Sequence, residues 1–168
     1  MIACRDAVPA DAACLADLST RAFTETFGHL YSPENLAAFL EKLSVARWAD
    51  ELADPALRVR LAEDDGIAAG FAKIGPPSLP FTTRGPSAEL RQLYVLTPWQ
   101  GAGVAYQLMD WAIDATRSLG AADLYLSVFV DNARARRFYQ RYGFERVGTY
   151  DFMVGTHRDE DDVMRLAL

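Results

Sequence analysis

Residues that staple a chain, bind metal or anchor it in a membrane are scarce in this sequence. Cysteine occurs only at Cys4 and Cys14, with no metal-ligand spacing around either, and an intracellular chain of this size needs no disulfide. Both are expected to be small buried residues, and no metal site is expected. Histidine occurs only at His29 and His157, neither spaced from a Ser, Cys or Asp in a way that announces a catalytic triad or metal site, so both are read as loop residues. No apolar run reaches the roughly 18 residues of a membrane span. The start, MIACRDAVPADAACLADL, has acidic side chains where a signal peptide carries a basic stretch. A cytoplasmic protein with no membrane partner is the expectation. The 17 basic residues are outnumbered by 23 acidic ones, for a net charge of −6, which argues against a nucleic-acid partner and weakly favours a cationic small molecule.

What the chain does have is material for a core. Hydrophobic residues make up 51% and charged residues 24% of the 168 positions, the balance of a globular domain rather than a disordered segment. With no internal repeat and no linker, a single domain over residues 1–168 is expected. IACRDAV reads as a first strand, followed by a helix from near Asp11 that stops before Gly28. In YSPENLAAFLEKL, Ser32 is placed as N-cap and Pro33 at the first helical position, with Leu36, Phe39, Leu40 and Leu43 at helical spacing. Ser44 is expected to cap a short helix over VARWADELAD. LRVRLAE and IAAGFAKIG then read as a hairpin turned at Asp65 and Gly66.

The prolines of PPSLPFTTRGPS call for a surface loop, of the kind that touches substrate when it borders a cleft. From residue 88 the pattern becomes β-α-β-α-β, with DVMRLAL as a closing strand. A helix from about residue 101 to 119 puts Val104, Leu108, Trp111, Ala112, Ala115 and Leu119 on one face, ready to pack on a sheet.

The corner before that helix, TPWQGAGVAYQL at residues 97–108, sets Gln100, Gly101 and Gly103 between a hydrophobic strand and an amphipathic helix. Such glycines serve a tight turn or a close approach of backbone to a ligand. A helix opening at a glycine-rich turn offers free N–H groups and a positive dipole end, which suit a pyrophosphate. A dinucleotide fold would need a third glycine and an acidic residue ~20 positions on, and a triphosphate loop would need a lysine followed by Ser or Thr; neither is present. Taken alone, the pair is equally well read as a tight corner.

Three stretches in order resemble the GNAT superfamily of acetyl-CoA-dependent N-acetyltransferases: the strand RQLYVL, the run Gln100-Gly101-Ala102-Gly103-Val104-Ala105, and DNARARRFYQRYGF. The resemblance implies a mixed α/β fold of about six to seven strands and four to five helices, its sheet splayed between the fourth and fifth strands to admit acetyl-CoA as cosubstrate. It implies that the backbone of Leu93, Tyr94 and Val95 pairs with the pantetheine arm. The amides from Gly101 to Tyr106 would hold the pyrophosphate, Asn132 would bond the arm further along, and Tyr139 would sit near the thioester sulfur. ETFGHLYSPENLAAFLEKL and FMVG look most like the bacterial spermidine/spermine N-acetyltransferase group. One departure is Ala102, where many members carry Lys or Arg, so phosphate binding would lean on backbone and on charge from elsewhere. Arg134, Arg137 and Arg141 are spaced along one helix beside Arg136; they meet cofactor phosphate or form a solvated face, and Arg141 is the first choice.

Acetyl transfer to an amine needs a neutral nucleophile, a polarised carbonyl and a proton for the departing thiolate. An alkylamine of pKa ~10 is only ~0.1% neutral at pH 7. Glu89, read as facing the same way as Arg91, Leu93 and Val95, is the expected base, or else a strand-end residue paired with Arg91. Tyr139 is the expected acid, since a phenol of pKa ~10 donating to a thiolate of pKa ~8.5 is uphill by only ~2 kcal/mol. It is expected to border a helix face buried through Ala135, Phe138 and Tyr142. The Val95 N–H is the expected oxyanion donor. Glu25, Phe27 and Tyr31 are candidates for the acceptor cleft, while RDEDD after His157 reads as a solvated charge run. The expectation is acetyl transfer to a primary amine, a polyamine favoured over a protein N-terminus, lysine or aminoglycoside. The rivals are a non-catalytic acyl-CoA sensor and a nucleotide-binding domain, and a homodimer stays open.

Overall fold

The computed structural model describes all 168 residues. The strands β1 (Ile2–Asp6), β2 (Arg58–Asp64), β3 (Ile67–Gly75), β4 (Ser87–Val95), β5 (Asp123–Phe129), β6 (Glu145–Val154) and β7 (His157–Ala167) form one sheet in the order β1-β2-β3-β4-β5-β7-β6. The α-helices are α1 (Ala12–Phe27), α2 (Pro33–Leu40), α3 (Val45–Ala53), α4 (Val104–Ser118) and α5 (Ala133–Arg141). None is long and apolar enough to cross a membrane.

Local chemistry sets most of these boundaries. Ser32 Oγ accepts from the Asn35 N–H at 3.2 Å and Ser44 Oγ from the Arg47 N–H at 3.3 Å, satisfying donors that the first turns of α2 and α3 leave free. Asp65 and Gly66 have φ of 49° and 84°, the pair of positive angles that a two-residue turn needs to match strand twist. Both faces of the central strands are covered. Leu61 and Phe71 pack under α1 and α3 with Leu15, Leu18 and Trp48, whereas their neighbours Ala62 and Ala72 pack under α4 with Leu108, Met109 and Ala112. The expected face of α4 is buried at Val104, Leu108, Ala112 and Ala115, but Leu119 lies past its end and is exposed.

Neighbouring strands run antiparallel except β4 and β5, which are parallel and paired only through Ser87–Glu89 with Asp123–Tyr125. Beyond Glu89 the two separate, and the sheet opens as expected. A bulge interrupts β4 just there. Leu90 sits opposite Ile74 and Gln92 opposite Lys73, leaving Arg91 as the extra residue. The bulge reverses the alternation, so Leu93 and Val95 share the α4 side with Ala88 and Leu90. Glu89 therefore faces the other way, contrary to the simple period-two reading.

The proline-rich segment is a surface loop, as expected, and it closes over the paired ends of β4 and β5: Ser78 bonds Glu89, Phe81 packs on Tyr125, and Arg84 grips the buried Asp123 at 2.7 and 2.8 Å. Two other expectations need correction. The closing strand begins at His157, not near Asp162, so His157 and the acidic run are sheet residues with Asp159, Asp161 and Asp162 buried. Cys4 and Cys14 are free thiols only half buried, Cys4 Sγ meeting Gln107 Oε1 at 3.6 Å.

Candidate active site

Where β4 and β5 part lies a cleft of about 620 Å³, walled by α1, β4, the loop before α4, β5, α5, β6 and β7. Its two ends differ in chemistry.

The first end is the glycine corner. Gly101 and Gly103 have φ of 86° and 83°, a conformation that side chains bearing a Cβ rarely adopt. Nothing stands within 4 Å of where a Cβ would project from either, so backbone conformation rather than crowding selects glycine. Gly103 is the N-cap of α4, and no side chain closes that end. The first bond back to the turn runs from the Gln107 N–H to the Gly103 C=O at 3.2 Å. The N–H groups of Gly101, Gly103, Val104, Ala105 and Tyr106 therefore have no backbone acceptor and leave an open helix end of the kind that suits an anion. Ala102 leaves the expected set: its N–H is used on the Trp99 C=O at 3.2 Å. Val104 contributes backbone alone, its side chain being in the core.

Gln100 ties this loop to the strand, donating from Nε2 to the Val95 C=O at 3.0 Å while its Oε1 accepts from Arg134. Arg134, Arg137 and Arg141 all line the cleft, and Arg141 reaches the Tyr106 hydroxyl at 3.4 Å. Arg136 turns away, to Asp162 at 3.0 Å and the Val130 C=O at 3.1 Å.

The middle of the cleft holds the strand edge and α5. The Leu96 N–H donates to the Ala69 C=O of β3 at 2.9 Å. Alternation along a strand turns the N–H groups of Val95 and Leu93 the opposite way, into the gap left by β5. Asn132 caps α5 by accepting from the Ala135 N–H at 3.2 Å, which leaves its amide nitrogen for the cleft. Tyr139 lines the cleft and is the buried residue of α5 at 9% exposure; Ala135, Phe138 and Tyr142 are its half-buried flanks, the reverse of the expected ranking. Burial, reinforced by the nearby Tyr94 phenol, pushes the Tyr139 pKa above the ordinary phenol value. Its hydroxyl is a proton donor at every physiological pH, though a weaker acid than a free phenol.

The second end gathers Phe27 and Tyr31 with Tyr94, Phe152, Asp159 and Asp161, and Glu25 lines the cleft beside the start of the loop before α4. Glu25 accepts from the Thr97 N–H at 3.2 Å and hydroxyl at 2.9 Å. Tyr31 donates to Asp159, whose other oxygen meets His157 Nε2 at 3.1 Å. Burial pushes the Asp161 carboxyl up to about 7; a bond from Ser127 opposes the rise, and Asp159 and Asp162 add to it. Tyr94 is pushed up to about 12, chiefly by burial. Glu89 is not among the cleft walls: it is buried, with one oxygen accepting from the Ser78 N–H at 2.6 Å and hydroxyl at 2.7 Å. Asp159 and Asp161 line the cleft but were not among the residues singled out from the sequence. Their signal was the alternation of His157, Asp159, Asp161 and Val163, which sets these four on one face of β7.

Solved acetyltransferases share this architecture. The PaiA N-acetyltransferase of Thermoplasma acidophilum in complex with coenzyme A superposes with a TM-score of 0.80 at 20% identity, over 100% of this chain and 99% of that one. An acetyltransferase of Salmonella typhimurium with its cofactor acetyl-CoA gives 0.72 at 20% identity, over 100% and 94%. In sequence, an uncharacterised N-acetyltransferase of Mycobacterium tuberculosis is 35% identical over 157 residues, 92% of this chain and 96% of its own length. The L-amino acid N-acetyltransferase of Escherichia coli is 36% identical over 104 residues, 61% of this chain and 62% of its own. Fold and relatives together define an N-acetyltransferase. A model of the acetyltransferase (GNAT) family matches residues 15–144, and the chain belongs to that family.

Proposed function

We propose that this chain moves the acetyl group of acetyl-CoA directly to a primary amine, with a polyamine such as spermidine or spermine as the favoured acceptor. The observation that carries this reading is the polarity of the cleft. One end offers open helix amides and three arginines, Arg134, Arg137 and Arg141, which suit the phosphates of the cofactor. Away from that corner the cleft offers Asp159 and Asp161, which suit a cation. Two of the structural relatives hold coenzyme A or acetyl-CoA, consistent with the anionic ligand.

In this reading the amides of Gly101, Gly103, Val104, Ala105 and Tyr106 take the pyrophosphate. Leu93 and Val95 supply the edge along which the pantetheine arm lies, the Tyr94 backbone between them being turned to β3, and the free amide nitrogen of Asn132 bonds it. The Val95 N–H polarises the thioester carbonyl, and Tyr139 protonates the departing thiolate. The rings of Phe27, Tyr31 and Phe152 flank an aliphatic acceptor chain. An α-amino acid, the acceptor class in the name of the Escherichia coli relative, would bring its own carboxylate against Asp159 and Asp161, so a ligand with cations alone fits better.

The test is thiol release from acetyl-CoA across spermidine, spermine, short peptides, an aminoglycoside and L-amino acids. The highest kcat/KM is expected with the polyamines. Turnover confined to the other classes would refute the acceptor. Coenzyme A binding without turnover of any amine would refute catalysis and leave a sensor.

A further inference from the structure

We propose that Asp161, on β7, docks the acceptor's ammonium and takes its proton, in place of Glu89. This rests on the amine acetyltransferase reading above and assigns its missing base.

The argument begins with partners. Three buried aspartates stand close together on β7, and two of them are neutralised or engaged. Asp162, on the far face, is gripped by Arg136 at 3.0 Å and Arg146 at 2.7 Å. Asp159 is held by Tyr31 and His157. Asp161 is only 6% exposed, lines the cleft, and has no ion-pair partner. Burying a carboxylate without a cation is costly, and the one hydrogen bond its surroundings give it, from Ser127, offsets only part of that cost. Facing it are Asp159 on its own strand, Ser127 and Phe129 of β5, Tyr150 of β6, Tyr94 of β4 and Tyr31 beyond α1, with Asp162 behind. None of these groups is a cation. A cationic amine entering the α1 side of the cleft supplies the missing partner.

Glu89 is in the opposite situation. Two donors from Ser78 already satisfy one of its oxygens, and it lies where β4 and β5 are still paired, under the proline-rich loop. Tyr94 lies within electrostatic reach of both Tyr139 and Asp161, which puts an acid on the α5 side and a base on the α1 side of one opening. A carboxyl poised near neutrality is also well matched to base catalysis at cellular pH.

The step balances as follows. Asp161 takes one proton from the ammonium, and the freed lone pair forms the N–C bond to the thioester carbonyl. The C–S bond then breaks, and the sulfur leaves with the Tyr139 proton. The second proton shed by the nitrogen as the amide forms restores the phenol, and Asp161 releases its proton to water.

The experiment is a pH profile of kcat/KM for spermidine with wild type, Asp161→Asn and Glu89→Gln, with coenzyme A affinity measured beside each. Protonation disables a base, so wild-type kcat/KM should fall as pH drops through about 7. Asp161→Asn should lose roughly 100-fold or more together with that acid limb, keep its coenzyme A affinity, and recover the limb as Asp161→Glu. An arylamine acceptor, already neutral at pH 7, should be turned over almost equally by wild type and Asp161→Asn. An Asp161→Asn enzyme with the wild-type rate and limb overturns the assignment, as does a limb lost only in Glu89→Gln. A wild type that acetylates no amine refutes the parent reading instead.

Discussion

Replacing Asp161 by Asn also probes the burial of this carboxylate with no acceptor or cofactor involved. Its pKa stands at about 7 in the fold against an ordinary 3.8, which is also the expectation for the unfolded chain. Each pKa unit is worth ~1.36 kcal/mol, so a rise of about three units sets an upper limit of ~4 kcal/mol. Because the group borders an open cleft where water screens it, ~1–2 kcal/mol is the expected cost. The sign follows from linkage. The folded chain holds this proton more tightly than the unfolded one, so the penalty is absent below about pH 4, grows between about pH 4 and 7, and is complete above. Urea unfolding of wild type and Asp161→Asn should coincide near pH 4 and diverge with rising pH. By pH 8 the variant should be ~1–2 kcal/mol the more stable, or ~2–8 °C higher in Tm. Equal stabilities at every pH, or a variant weaker at pH 8, would refute the claim that Asp161 is buried at a cost.

Tyr139→Phe removes the proposed acid while keeping its packing, so kcat with spermidine should fall ~100-fold or more with coenzyme A affinity unchanged; stopped-flow thiol release and calorimetry measure the two. Gly103→Ala should lower stability by ~1–2 kcal/mol in thermal unfolding, since φ of 83° is costly for any Cβ-bearing residue, and should weaken coenzyme A by re-aiming the helix-end amides. Arg141→Ala should raise the coenzyme A Kd and flatten its salt dependence. Arg136→Ala should leave that Kd alone but cost ~1–3 kcal/mol of stability, because the buried Asp162 loses one of its two cations.

How far each feature could be read in the chain depends on the range of the force behind it. Ser32, Ser44, the Asp65-Gly66 turn and the Gly101/Gly103 corner act within a few residues, through caps and positive φ angles, and each stands where the sequence placed it. The order of motifs around that corner, read through the family resemblance, pointed to the glycine end of the cleft. The acidic end was set at longer range. Whether HRDEDDV is a solvated run or a buried strand depends on β5 and β6 lying on either side of it, and no local pattern reports which strands are interior. The side that Glu89 faces depends on a bulge at Arg91 defined by its pairing with β3. The sequence by itself determined the capped helix ends, the hairpin turn and the glycine corner that opens α4. Only tertiary structure decided which carboxylates meet the cleft, because burial belongs to the partners a strand finds and not to the strand alone.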